Sequence, residues 1–199
     1  MKFVVGLGNP GPKYETTRHN VGFLAIDRLM DRWGAGSPKL QAQAEVYSVS
    51  SPQKLLLIKP QTFMNRSGVA VAELARFYKV APADIVVLLD DLDLAPLAVR
   101  FKLGGGSAGH NGIKSIDQSL GSPDYYRARI GIGHPRMYLD RKNQNVADYV
   151  LENFSDEELS ELDRCLDDVA QGVEWILQGN FLQAQNRFHR RGLVVETKE

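Results

Sequence analysis

The chain has 199 residues, 43% hydrophobic and 24% charged, and its 24 basic and 24 acidic side chains give a formal net charge of zero. This length suits one domain with a substantial core, the proportions are those of a globular protein, and no apolar run approaches membrane-spanning length. The single cysteine, Cys165, excludes an internal disulfide; set among apolar positions of a helical pattern, it reads as a buried, inert thiol suited to a reducing cytoplasm.

The chain opens directly in a strand-like apolar run over 3–7, so no signal or transit peptide is expected. That strand runs into the tight turn Asn9-Pro10-Gly11, and a helical pattern follows over 21–33. Strands are predicted at 44–49, which alternates and reads as nearer an edge, and at 55–58. A helix over 67–79 precedes Ile85-Val86-Val87-Leu88-Leu89, continuously apolar as in a buried parallel strand. Strand 98–103, helix 112–120 and strand 126–132 come next, with long loops expected at 34–40 and 134–145. The longest helix, 156–178, starts with Ser155 and Glu158 as a capping box. Leu159, Leu162, Leu166, Val169, Val173 and Ile176 form its apolar stripe, and Gly179 suits its C-terminal end. Its opposite face, with Glu157, Glu161, Asp167 and Asp168, should meet solvent. A last helix is predicted over 181–189. The alternation of strands and helices predicts an α/β domain with a mostly parallel or mixed sheet.

Zero net charge hides an asymmetry. Residues 1–150 carry 19 basic and 13 acidic side chains, whereas residues 151–199 carry 5 and 11. The stretch 97–142 sets eight cations against three aspartates, so a polyanion could bind there although the whole chain is neutral. Scattered solubilising charges would give the same count.

Several motifs compete for a functional reading. Gly6-x-Gly8-x-x-Gly11 matches the dinucleotide fingerprint, but Pro10 and Pro12 bracket the third glycine and no helix opens there. Gly105-Gly106-Ser107-Ala108-Gly109 matches the nucleophile elbow of serine esterases; a glycine-rich loop over 104–112 is, however, longer than that single sharp turn. The four histidines at 19, 110, 134 and 189 have no metal-ligand spacing, so no metal site is expected.

His19, within Thr17-Arg18-His19-Asn20, is the preferred proton-transfer group. It lies in the first strand-to-helix connection, and Asp90 lies at the carboxyl end of the apolar strand, where open α/β sheets expose functional side chains. An aspartate on one ring nitrogen fixes the tautomer and leaves the other nitrogen to take a proton from water; Asp91 and Asp93 are neighbouring alternatives. Asn9, Asn65 and Asn111 supply neutral amides that could hold a peptide, orient water and stabilise an oxyanion, although each could equally be a turn or cap residue. Tyr14, Phe63 and Met64 could wall such a site or pack in the core. The helix opening near Asn111, with Lys102 and Arg129 on flanking strands, makes a candidate anion site.

These blocks, residues 6–11, 18–20, 62–65 with Ser67-Gly68, 90–94, 101–112 and 129–135, occur in an order that resembles the bacterial peptidyl-tRNA hydrolases from Val5 to about Arg187. The resemblance implies a single α/β domain over 1–199, a twisted mixed, largely parallel sheet surrounded by helices. It implies an esterase that cleaves the bond between a peptide and the 3′ ribose of tRNA, recycling tRNA from aborted translation. It implies a cytoplasmic monomer without metal or cofactor. By the same resemblance His19 is the general base and Asp90 its orienting carboxylate. Asn9, Asn65 and Asn111 bind the peptide, ester and water, while Tyr14 and Met64 line the cleft. Lys102 and Arg129 grip the tRNA 5′-phosphate, and the loop 136–145 meets the acceptor stem. Asp91 stands where the pattern has Glu, Ala95 where it has Pro, and the loop 136–145 is longer. The rival classes are a non-catalytic RNA-binding relative, a serine esterase using Ser107 and a dinucleotide enzyme.

Overall fold

A computed structural model describes residues 1–50, 53–189 and 191–194. Its seven strands are β1 (Lys2–Gly6), β2 (Lys39–Gln41), β3 (Ala44–Val49), β4 (Leu55–Pro60), β5 (Ile85–Asp91), β6 (Val99–Leu103) and β7 (Tyr126–Gly131). They form one sheet in the order β2-β3-β4-β1-β5-β7-β6. The inner strands β4, β1, β5 and β7 are mutually parallel, and β2, β3 and β6 add antiparallel edges. The α/β class and the mixed, largely parallel sheet are thus as the sequence predicts.

Both faces of the inner strands are apolar because both are covered. Val4, Val86 and Leu88 join one core with α1 (Val21–Trp33), α5 (Asp156–Leu177) and α6 (Phe181–Phe188). Phe3, Val5, Ile85, Val87 and Leu89 join the other with α2 (Ser67–Tyr78) and α3 (Asn111–Leu120). Two close approaches fix the helices. A Cβ on Gly22 would lie 2.5 Å from the backbone nitrogen of Leu7, so α1 can sit directly on β1 only with glycine there. Gly68 lets α2 meet α3, where its N–H donates to Ser115 Oγ at 3.0 Å.

The first chain reversal brings the site together. β1 leads to α1 on one face, while β4 leads through α2, on the other face, to β5. The connections leaving β1, β4 and β5 therefore converge at one sheet edge, the usual location for ligand chemistry in this architecture.

Several details depart from expectation. β2 overlaps the end of the predicted loop 34–40, and a short helix, α4 (Val146–Val150), capped by Asn145, follows the predicted loop 134–145. β5 runs on through Asp91, so Asp90 is a strand residue. Leu159, placed in the apolar stripe of α5, is 49% exposed, and Glu158 is buried instead because it faces the Arg18 guanidinium. The acidic side of α5 does not face only solvent: Asp163 and Asp167 pair with Arg28, and Glu174 with Arg32, both on α1. Cys165 is buried, and the capping box of Ser155 and Glu158 is formed. No helix among the described residues is long and apolar enough to cross a membrane.

Candidate active site

His19 stands in a single 3-10 turn, Arg18–Asn20, immediately before α1. Its Nδ1 lies 2.9 Å from both carboxylate oxygens of Asp90. An ionised carboxylate only accepts, so Nδ1 carries the hydrogen and Nε2 keeps a lone pair in the neutral ring. Burial would lower the pKa of His19, but the charge and hydrogen bond of Asp90 outweigh it and raise the pKa above 6.5. Burial of Asp90 acts to raise its own pKa, yet the two adjacent imidazoles hold it well below the usual carboxylate range.

The second imidazole is His110, a residue the motif reading named without giving it a role. Its Nδ1 accepts from the backbone N–H groups of Gly112 and Ile113, capping α3, at 3.1 and 3.4 Å. That nitrogen therefore holds the lone pair, and Nε2–H donates to Asp90 Oδ1 at 2.9 Å. Asp90 is thus gripped from both sides, with the two rings 5.4 Å apart between centroids. Spacing along the chain gave no hint of this group, because β6 runs antiparallel and the glycine loop must return along the sheet to bring His110 back to Asp90.

His19, Asp90 and His110 could in outline be three metal ligands, since one atom from each lies within 4.8 Å of the others. The hydrogen bonds argue against it. His110 Nε2 can offer a lone pair only if its proton moves to Nδ1, where it would confront the N–H groups of Gly112 and Ile113. The donor set fits a hydrogen-bonded triad and does not fit a metal.

Asn9 is held as firmly. Its backbone exchanges two hydrogen bonds with the Asn20 amide, at 2.9 and 3.0 Å, and its Oδ1 accepts from Met64 N at 2.9 Å. The amide orientation is therefore set, with Nδ2 as the donor left over. Asn9, His19, Asp90, His110 and Asn111 line one cleft of about 700 Å³. Asn65 is exposed in the turn before α2 and Tyr14 is half-buried under Lys13; neither lines that cleft. Met64 is 5% exposed and sits in the core against Leu7 and Gly112, so it supports the cleft from beneath and is not part of its wall. α4 adds Val146, Ala147 and Val150 to the lining.

Lys102, Arg127 and Arg129 also line the cleft. Lys102 is directly opposite Arg127, and Arg129 opposite Arg100, so the β6–β7 pair turns four cations to one face. Arg127 is occupied by Gly106 O and Asp117, and Arg129 Nε donates to Asp91 Oδ2 at 2.6 Å. Asp91 is therefore committed to Arg129 and to Asp93 N, and does not serve His19.

A family model for peptidyl-tRNA hydrolase matches residues 3–196. The chain belongs to the peptidyl-tRNA hydrolase family. It is 47% identical to the peptidyl-tRNA hydrolase of Bordetella avium over 195 residues, 95% of this chain and 91% of that one. To that of Rhodospirillum rubrum it is 50% identical over 180 residues, 90% of this chain and 72% of the other. The crystal structure of the Acinetobacter baumannii peptidyl-tRNA hydrolase superposes with a TM-score of 0.87 at 35% identity, covering 95% of this chain and 94% of that one.

For a peptidyl-tRNA hydrolase, the rival motifs now have structural answers. Ser107 lines the cleft, but β6 is an antiparallel strand and α3 begins only after a long return loop, so no nucleophile elbow forms. The Gly6-Gly8-Gly11 pattern opens only a single 3-10 turn, Pro12–Tyr14, and the first α-helix starts at Val21. At the N-terminus of α3 the N–H groups of Gly112 and Ile113 donate to His110 Nδ1. In the loop 136–145, Arg141 is bound to Glu152, leaving Arg136 and Lys142 as its exposed cations.

Proposed function

We propose that the protein hydrolyses the ester joining a peptide to the 3′ ribose of tRNA, by direct attack of a water that His19 activates. Water bound at His19 Nε2 gives its proton to the ring as its oxygen bonds to the ester carbonyl carbon. The tetrahedral oxyanion then collapses with cleavage of the bond to the ribose 3′ oxygen, which takes the proton back from the imidazolium. The products are tRNA with a free 3′ hydroxyl and a peptide carboxylic acid, which ionises to the carboxylate by releasing its proton to solvent. Asp90 holds the productive tautomer and stabilises the imidazolium. His110, as a neutral donor, keeps Asp90 aimed at His19. Asn9 Nδ2 and the amide of Asn111 bind the ester and water, and Asn65 and Tyr14 act further along the peptide path; the position of Asn9 and Asn111 in the cleft lining supports the first pair. Lys102, and the part of Arg129 not engaged by Asp91, take the tRNA 5′-phosphate.

The observation that carries this reading is the 2.9 Å contact of His19 Nδ1 with Asp90 at the cleft. The substrate is bound through its acceptor stem and its peptide, which makes the protein a tRNA-binding enzyme of translation and ribosome rescue, acting in the cytoplasm as a monomer without cofactor. Release of tRNA from N-acetyl-aminoacyl-tRNA in the presence of EDTA tests it. Wild type and Ser107→Ala should cleave alike. Loss of cleavage on chelation, or in Ser107→Ala alone, would overturn it.

A further inference from the structure

Arg18 adjoins His19 in sequence, but its side chain turns the other way and is 3% exposed. Its guanidinium donates to Glu158 Oε2 at 2.6 Å and to the carbonyl of Asn153. It lies over the Tyr149 ring at 4.7 Å and faces Phe154 at 5.7 Å. The backbone adds to the same contact: Arg18 N donates to Glu152 O at 2.9 Å, and Thr17 bridges to Asn153. Glu158 is shared, since its Oε2 also accepts from Ser155 N in the capping box that starts α5. All these partners belong to the segment running from α4 to α5, and α4 lines the same cleft as His19 and packs against the turn that carries it.

We infer that Arg18 is a positioning residue, clamping the α4 wall and the start of α5 to the turn that aims His19 at Asp90. A buried ion pair gains little net stability, because two charges must be desolvated to form it. It does fix geometry, because the planar guanidinium directs its two terminal nitrogens to separate partners, Glu158 Oε2 and the Asn153 carbonyl. The clamp reaches across some 140 residues of sequence, from position 18 to position 158. It therefore joins two parts of the cleft that no local element holds together. Lysine retains the charge but loses both the fork and the ring stacking.

The inference rests on the hydrolytic reading, so the test has one measurement that needs no turnover. Arg18→Lys and the milder Glu158→Gln are compared with wild type by thermal melting, by kcat and KM on N-acetyl-aminoacyl-tRNA, and by NMR titration of the His19 ring. His19 faces Asp90 from β5 and His110 from the loop before α3, with Asp91 and Asp93 beyond them and Lys102 and Arg129 across the cleft. Of these, Asp90 raises its pKa. In Arg18→Lys, kcat should fall by about tenfold or more, as expected for sub-ångström misplacement of a base. The His19 titration should move down toward 6.5, and Glu158→Gln should shift both in the same direction by less. Variants that melt lower yet keep wild-type kcat and an unmoved His19 titration, below their melting temperatures, would overturn the inference and leave Arg18 a stabilising residue only. If Arg18→Lys does not fold, Glu158→Gln decides by the same two readouts. A wild type without turnover would count against the hydrolytic reading, while the titration would still decide the role of Arg18.

Discussion

Replacing Asp90 by Asn perturbs one oxygen and leaves the shape of the site unchanged. Asp90 is 2% exposed and accepts from His19 Nδ1 with both oxygens and from His110 Nε2 with Oδ1. With the amide oxygen at Oδ1, the new NH2 group stands about 2.9 Å from His19 Nδ1–H, donor against donor, and that hydrogen is left only the Oδ1 already shared with His110 Nε2. The ring relieves this by moving its hydrogen to Nε2, and the nitrogen facing the substrate can then no longer accept a proton. The imidazolium also loses a charge-assisted hydrogen bond, worth about 1.5–3 kcal/mol. Together these effects should lower kcat by about 10²–10⁴-fold, roughly 2.7–5.5 kcal/mol in barrier, the upper value being that for the aspartate of a Ser-His-Asp triad. Stability at neutral pH should also fall, because the fold favours the ionised carboxylate over a neutral group at this position and asparagine carries no charge. Saturating turnover of N-acetyl-aminoacyl-tRNA on the alkaline plateau, together with urea unfolding, measures both. An Asp90→Asn protein that keeps more than about a third of wild-type kcat would refute the tautomer argument.

The remaining predictions concern pH, the second histidine and the basic wall. The folded-state pKa of His19 is raised above 6.5, so its contribution to stability is full below 6.5 and is lost as pH rises through the folded value. Catalysis needs the neutral ring, so kcat should rise over the same interval in which unfolding free energy falls; paired pH profiles of kcat and urea unfolding check this, and a kcat limb centred below 6.5 would contradict it. The folded pKa of Asp90 is depressed, so its stabilisation is present above 3.8 and is lost only as pH falls through that lower value. His110→Asn should preserve the cap on α3 but lose the donor to Asp90, so kcat falls about tenfold while melting is little changed. His110→Ala should in addition lose about 0.5–2 kcal/mol of stability. Lys102→Ala should weaken tRNA binding and flatten its log–log salt dependence by about one unit; the two proteins should behave alike toward a substrate lacking the 5′-phosphate.

The sequence was most legible where local chemistry and tertiary structure agree. The helix over 21–33 is found at those bounds because its apolar stripe meets the sheet and Gly34 ends it in a left-handed conformation. The strand 85–89 was readable because both its faces are covered. The hairpin joining β2 to β3 was not, because it turns on Ala42 and Gln43, both at positive φ, without the Asn-Gly or Asp-Gly signal that marks such a turn. α4 has five residues, too few to show a period. His19 and Asp90 could be paired from topology alone, since His19 lies in the connection leaving β1 and Asp90 near the carboxyl end of the parallel β5. His110 could not, because its approach depends on how the glycine loop returns. Glu158 looked like a capping residue only; its second function depends on Arg18, far away in the chain.

The central claim is that His19 is the base. The direct measurement is single-turnover cleavage of N-acetyl-aminoacyl-tRNA by His19→Ala beside equilibrium binding of the same tRNA. The account predicts binding close to wild type and cleavage lowered by at least about 10³-fold. Cleavage within tenfold of wild type, with binding retained, would contradict it and move the base to another group in the cleft.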